Sequence, residues 1–393
     1  LLPQFELMSI STEIQKNVYG KSNSGIPEPG LVSVLHVING EHYSGAERVQ
    51  DLLGNSLPEF GFKISFACVK PGLFPTKRKF QKPAVYDMPM KHRFDFSVAR
   101  KIAELIKQQD VRIVHAHTPR SAMVAAMAAT KMGIPFVYHV HSPVSRDSTR
   151  WLVNRFNQWV EAWALRRATK IVTVSDSLKD YMLGLGFDKA KVVAIPNGVP
   201  VNDTPKAKAS RKSVTIGTVA LFRPRKGTEV LIEALSNLRR SGVDANVLAI
   251  GPFETNSYEN ELKALADRLG VSEHITWAGF CDQVEPYFAE MDLFVLPSLF
   301  GEGLPMVVLE AMANGTPIIA SDVEGIPQAI RNGVDGLIVK AGAPIELADQ
   351  IALLVHDREL REQLGESALD RQRESFSDVS MARKLSVVYA ELV

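Results

Sequence analysis

Two glutamates, Glu302 and Glu310, interrupt an apolar stretch punctuated by glycine and proline, Pro297-Ser-Leu-Phe-Gly-Glu-Gly-Leu-Pro-Met-Val-Val-Leu-Glu-Ala-Met-Ala-Asn-Gly-Thr-Pro-Ile-Ile-Ala-Ser321. Leu293-Phe-Val-Leu296 before it has the character of a buried strand. Pro305 suits the first position of a helix, which Gly315 and Pro317 then end; residues 317–320 start the next parallel strand. Glu302 therefore falls in a loop at the carboxyl end of a strand, where open α/β sheets bind ligands. Glu310 lies five residues past Pro305, roughly 7–8 Å along the helix axis. Unsatisfied N–H groups at the helix start, near Leu304 to Val307, favour an anion such as phosphate. Two carboxylates flanking an anion site suit a ligand with hydroxyls at both ends and phosphate between. For either glutamate alone, a place on a helix surface is the simpler account.

Other polar clusters sit at similar junctions. Leu221-Phe-Arg-Pro-Arg-Lys-Gly227 places Arg223, Arg225 and Lys226 between a strand end and a helix start, which makes an anion site. His115/His117 and His139/His141 end two strand segments; alternate residues share a face, so each pair could chelate a metal, although no nearby Asp, Glu or Cys completes a ligand set. In Asn39-Gly-Glu-His-Tyr-Ser-Gly-Ala-Glu-Arg48, Gly45 at a strand-to-helix turn allows close approach of a ligand to the backbone. Gly20-Lys21-Ser22 lacks the earlier glycine of a phosphate-binding loop, since position 15 is Gln. No Gly-x-Gly-x-x-Gly follows the first strand, which argues against a dinucleotide oxidoreductase.

The elements that must hold these groups alternate along 393 residues, enough for two or three domains. Strands are expected at 31–38, 62–68, 111–117, 135–141, 170–174, 191–195, 214–220, 247–250 and 293–296. Helical patterns lie near 96–109, 119–132, 151–169, 176–184, 228–240, 257–269, 344–356, 358–374 and from 378 onward. Such alternation gives mostly parallel sheets with helices on both faces. Residues 1–30 read as a flexible lead-in without signal-peptide character, and 201–213 as an interdomain linker. Two cysteines, Cys68 and Cys281, rule out a disulfide framework and point to a reducing cytoplasm. No apolar run reaches the ~18–20 residues of a membrane span. Net charge is +1, but residues 1–200 hold 26 Lys and Arg against 16 Asp and Glu, and the remainder 19 against 28. A basic half suggests an anionic partner, or attraction to the acidic half.

The pattern Glu-Gly-x-Pro-x-x-x-x-Glu-Ala-Met-Ala-x-Gly-x-Pro-x-x-Ala-Ser resembles the donor-site segment of retaining GT-B glycosyltransferases of family 4, and the resemblance extends over most of residues 31–393. It implies two Rossmann-like domains facing across a cleft, 31–200 on the acceptor side and 214–377 on the nucleotide-sugar side. A last helix, 378–393, would cross back to the first domain. It further implies a sugar transferase that uses a nucleoside-diphosphate sugar, retains anomeric configuration and needs no metal or other cofactor. Glu302 would then hold a donor-sugar hydroxyl and Glu310 the ribose hydroxyls. Lys226 with Arg223 or Arg225 would stabilise the leaving diphosphate, Leu221 standing where the family's usual arginine would be. Donor-binding positions implied with them are Gly45, Gly251, Gly279, Phe280, Gly303, Leu304, Pro305, Met306 and Val307. His141, followed by Ser142-Pro143, matches a histidine at the acceptor side, where Ser44, His117 and Arg120 would join it. Ser44 replaces the first glycine of the family's Gly-Gly-x-Glu-Arg loop. Pro200 follows the Pro196-Asn-Gly-Val199 turn in place of the usual Asp.

A basic, aromatic helix (Arg146, Arg150, Arg155, Arg166, Arg167 and Lys170 with Trp151, Phe156, Trp159 and Trp163) and a second basic cluster (Lys77 to Lys79, Lys82, Lys91, Arg93) suit an anionic membrane surface, or a solvated face over an aromatic packing contact. The expected partners are thus a sugar nucleotide, a glycan or lipid-linked acceptor and the inner face of a membrane, with no nucleic acid. Two rival readings are a nucleotide-sugar-binding protein without catalysis and a metal-dependent hydrolase built on the histidine pairs.

Overall fold

Val32–Ile38 is an almost unbroken apolar run, and such a run is stable only as a strand covered on both faces; it forms β1 with its last five residues buried. In the computed structural model, which describes residues 30–92, 94–142, 161–203, 213–281 and 283–393, the strands build two sheets. The first contains β1, β2 (Phe62–Cys68), β3 (Ala84–Asp87), β4 (Val111–Ala116), β5 (Phe136–Val140), β6 (Lys170–Thr173) and β7 (Val192–Ala194) in the order β3-β2-β1-β4-β5-β6-β7. The second contains β8 (Val214–Val219), β9 (Ala245–Ile250), β10 (Ile275–Gly279), β11 (Leu293–Leu296), β12 (Ile318–Ser321) and β13 (Leu337–Val339) in the order β10-β9-β8-β11-β12-β13. Every pairing in the second sheet is parallel. Both sheets reverse strand order once, between β1 and β4 and between β8 and β11, as doubly wound α/β sheets do. By contact density the chain forms two compact units: Leu1–His139 with Phe156–Val172 and Ala382–Val393, and Val140–Arg155 with Thr173–Met381.

β3, β10 and β13 have no counterpart among the expected strands. Each is three to five residues long at a sheet edge, and β3 and β10 are only partly covered, so none carries the long apolar run that marks a central strand. Most of the lead-in 1–30, most of the linker 201–213, Arg93, and Arg146, Arg150, Trp151, Arg155, Phe156 and Trp159 of the basic aromatic helix lie outside the described residues. Of that helix, residues 161–167 are helical, and the Arg167 guanidinium stacks 3.8 Å over Trp163.

In the second unit, alternate residues of β8, β9 and β11 (Ile216, Val247, Val295) meet Leu231 and Leu235 of the helix Thr228–Arg240 and Ile351 and Leu354 of the helix Pro344–His356, all buried. This core fixes where the strands end, and so where the loops that carry Lys226 and Glu302 begin.

The closing helix, Asp378–Ala390, belongs to the first unit from Ala382 onward and there sends Tyr389 into the sheet. The buried Tyr389 hydroxyl sits 2.9 Å from His36 Nε2 and 2.6 Å from His115 Nδ1. His36 Nδ1 is in turn 3.1 Å from His117 Nε2. Two tautomer arrangements satisfy this chain, one running from His117 to His115 and the other in reverse, and both keep the rings neutral. Burial pushes the His36 pKa down to about 3 and that of the Tyr389 hydroxyl up.

Removing the shared hydroxyl strips a buried partner from two histidines. Tyr389→Phe is expected to lower unfolding free energy by about 1–3 kcal/mol in denaturant melts. The unfolded chain takes up a proton on His36 near pH 6.5, whereas the folded one does not until about pH 3. Stability therefore falls as pH drops through that window, by about 1 kcal/mol per pH unit from this group. A His36→Asn variant should show a shallower acid slope in the same melts.

Candidate functional site

Lys226 follows β8 and Glu302 follows β11, the two strands on either side of the order reversal in the second sheet. Diverging crossovers leave a crevice at the carboxyl ends there, so the position is dictated by topology. Lys226 ends a short 3-10 turn, Pro224–Lys226. Gly227 then turns into the next helix at φ 62°, and a Cβ on it would lie 2.1 Å from the carbonyl oxygen of Pro297. Only glycine permits that approach, and it brings the cation-bearing turn against the end of β11. Leu299 N–H donates to Arg225 O at 2.9 Å across the same seam.

Glu302 is only 4% exposed, and its Oε1 is the focus of the surrounding donors. Oε1 accepts from Lys226 Nζ and, at 2.6 Å, from Ser298 Oγ, with Arg225 Nη1 at 4.0 Å. Burial lowers the Lys226 pKa most, with Arg225 and Arg223 acting in the same sense; the Glu302 charge and hydrogen bond oppose this. Arg225 donates to Gly301 O at 2.7 Å, whereas Arg223 reaches away to Glu254 at 3.4 Å. Of the two arginines, Arg225 stands with Lys226 and Glu302.

The helix after this loop spans Met306–Ala313, with Pro305 as N-cap (φ −72°, ψ 121°). This corrects the expected first-turn proline: with an extended ψ it precedes the helix, and the orphan N–H groups begin at Met306. Leu304, Met306 and Glu310 are buried and Val307 is partly exposed. Gly303 lies against the strand-end backbone at His141, where a Cβ would fall 2.1 Å from the His141 carbonyl oxygen. Asn197 of the Pro-Asn-Gly-Val turn donates to Leu304 O at 2.9 Å. His141 keeps some exposed surface, yet protein atoms crowd its ring, and this desolvation pushes its pKa down to about 4.

Gly251, at φ 130°, ends β9 and donates to Gly279 O at 2.8 Å, so these two predicted positions are neighbours; Phe280 beside them is 69% exposed. In the first unit, Ser44 and Gly45 open the helix Gly45–Ser56 after β1, and His117 and Arg120 follow β4, again flanking an order reversal. Thr118 Oγ1 donates to Asn39 Oδ1 at 3.0 Å and ties the two loops together. The turn glycine with positive φ is Gly40 (82°); Gly45 is already helical. His117 is buried with His36, and His36, His115 and His117 offer nitrogens within 4.8 Å of one another. Both ring nitrogens of His36 are engaged with Tyr389 and His117, so a metal there would have to displace those bonds. The sequence pairs did not point to His36, which comes from another strand. Ser298 and Glu324 also act on Glu302, through its side chain and its backbone respectively; Ser298 lies within the stretch Pro297–Ser321 and Glu324 three residues beyond it, and neither stands out in sequence because a single polar residue in a loop is commonplace.

Residues 202–371 match the family described as glycosyl transferases group 1, and residues 43–203 match glycosyltransferase family 4. The chain is 28% identical over 277 residues to a phosphatidyl-myo-inositol mannosyltransferase of Mycobacterium leprae, covering 69% of this chain and 71% of the relative. It is 23% identical over 383 residues to the Escherichia coli UDP-Gal:alpha-D-GlcNAc-diphosphoundecaprenol alpha-1,3-galactosyltransferase, covering 92% and 97%. Among solved structures, Anabaena HepE in complex with UDP superposes with a TM-score of 0.80 at 20% identity, over 92% of this chain and 100% of that one. Two parallel α/β sheets of this order, the two contiguous family matches and relatives named as glycosyltransferases together place the chain among the GT-B glycosyltransferases of group 1 and family 4.

Proposed function

We propose that the protein transfers a hexose from a nucleoside-diphosphate sugar to a lipid-linked, glycan or small-molecule acceptor, retaining anomeric configuration and using no divalent metal. The observation that supports this reading best is the Lys226–Glu302–Arg225 group at the order reversal, beside the start of the helix Met306–Ala313. As the glycosidic bond lengthens, negative charge moves onto the leaving diphosphate. Lys226, Arg225 and the helix N-terminus, with its partial positive charge, are the groups that stabilise it, in the place a metal ion occupies in other transferases. Glu302, with Oε1 held by Lys226 and Ser298, offers its other oxygen to a donor-sugar hydroxyl, and Glu310 serves the ribose hydroxyls. Neither acts as a nucleophile. His141, neutral at physiological pH, serves the acceptor side with Ser44, His117 and Arg120. Gly279 and Phe280 meet the base, and Gly45 and Gly251 approach the donor.

UDP in the Anabaena structure and the UDP-sugar named for the Escherichia coli relative favour a uridine donor. Both named relatives act on lipid-linked substrates, which favours a lipid-linked acceptor and, with the Arg167–Trp163 stack, peripheral contact with an anionic membrane. The site of action is then the cytoplasmic face.

A thermal-shift panel of UDP-, GDP- and ADP-sugars, followed by turnover with the tightest binder, tests the reading; binding without transfer would support a non-catalytic binder instead. Lys226→Ala should lower kcat by about 10²-fold or more, the scale of losing one transition-state charge partner. Since burial lowers the Lys226 pKa, wild-type activity should decline on the alkaline side at a pH below 10.5 as the ammonium loses its proton. Activity should survive exhaustive chelation; loss on chelation and recovery with zinc would favour the histidine-metal hydrolase.

A further inference from the structure

Glu324, in the loop after β12, has φ 34°, the left-handed region that a non-glycine residue enters at a cost. Its neighbour is Gly325, so the chain had a residue suited to such a turn one position away. What the glutamate gains is specific. Its Oε2 accepts from Gly301 N–H at 2.8 Å and from Glu302 N–H at 3.0 Å, both charge-assisted bonds. Gly325 N–H then donates to Glu302 O at 2.9 Å. Gly325 lies so close that a Cβ on it would be 1.7 Å from Gly303 O. Two consecutive residues of one loop thus grip Glu302 by its N–H and its C=O, leaving its side chain to meet Lys226 and Ser298.

We propose that Glu324 is a positioning residue for Glu302: its carboxylate fixes the 301–303 backbone so that the Glu302 carboxylate is held in place before the donor binds. This rests on the role given to Glu302 above. A loop whose N–H groups are already satisfied does not have to reorganise when the donor arrives, and displacements of about 1 Å in such a site cost up to ~10²-fold in rate. The strained turn is kept because a carboxylate is needed at that point.

The decisive variant is Glu324→Gly, which relaxes the backbone while removing the carboxylate; Glu324→Gln keeps one acceptor oxygen in a similar shape. Glu324→Gly trades the relieved left-handed strain against the two lost bonds, so it is expected to melt near the wild-type temperature, to lose about tenfold or more in kcat with donor KM changed much less, and to exchange the Gly301 and Glu302 amide hydrogens at least about tenfold faster. Glu324→Gln should fall between it and wild type in all three. Wild-type kcat with unchanged amide exchange in Glu324→Gly would overturn the proposal. So would a loss of activity that merely follows a loss of melting temperature. Amide exchange needs no substrate, so a wild-type protein that binds no sugar nucleotide would sink the functional reading while the exchange result still decides whether Glu324 holds the loop.

Discussion

Stripping water from an ammonium and a carboxylate is unfavourable by several kcal/mol for each ion, and burial of one without the other would be prohibitive. Lys226 and Glu302 are both largely buried, and each makes the other tenable. Most of the second unit's local structure follows from bringing them together. The left-handed Gly227 lets the turn carrying Lys226 close on the end of β11, Ser298 adds a second donor to the same carboxylate oxygen, and Arg225 is turned inward onto Gly301. A neutral hydrophobic pair of the same volume would be easier to bury. Under the proposed transfer the ions are retained for chemistry, since a preorganised cation in a low-dielectric crevice is what a developing phosphate charge requires.

The first unit buries polarity differently. His36, His115, His117 and Tyr389 form a chain in which each described bond can be made by neutral groups, so no counter-charge is needed. The result pins the last helix to strands β1 and β4, the two at the order reversal. Polar groups at the end of the chain thereby become structural ties at the place where the first sheet opens its loops. The same topology thus hosts a charged pair in one sheet and a neutral relay in the other.

Much of this was legible from residue order, for identifiable reasons. Central strands such as β1 and β11 announce themselves as apolar runs, and Gly227, Gly315 and Pro317 mark where helices begin and end. Glu302, Glu310 and Lys226 stand out because charged residues are rare in such segments. Edge strands β3, β10 and β13 were hidden because a strand that is short or only partly covered has little apolar signal. The choice of Arg225 over Arg223 was hidden too: both precede Lys226 by a few residues, and the direction of each side chain depends on Glu254 and Gly301, which are distant in sequence. His36 and Tyr389 lie 353 residues apart, and no local pattern links them. Pro305 was misplaced by one position because proline is compatible with both the cap and the first turn, and only ψ separates them.

That mixture bears on what a matched motif certifies. Gly303 belongs to the stretch by which the family is recognised and Gly325 lies just beyond it, yet neither can carry a Cβ, because backbone oxygens of His141 and Gly303 stand in the way. Packing alone would hold both positions, whatever reaction the site performs, so the agreement of Gly303 with the family speaks first for the fold. Glu302 is different. A buried position whose own N–H and C=O are both already bonded would be more stable with an apolar side chain, and the carboxylate has to be balanced by Lys226 and Ser298. The residues that testify to chemistry are therefore those whose presence the fold alone would disfavour, and in this chain they converge on one loop.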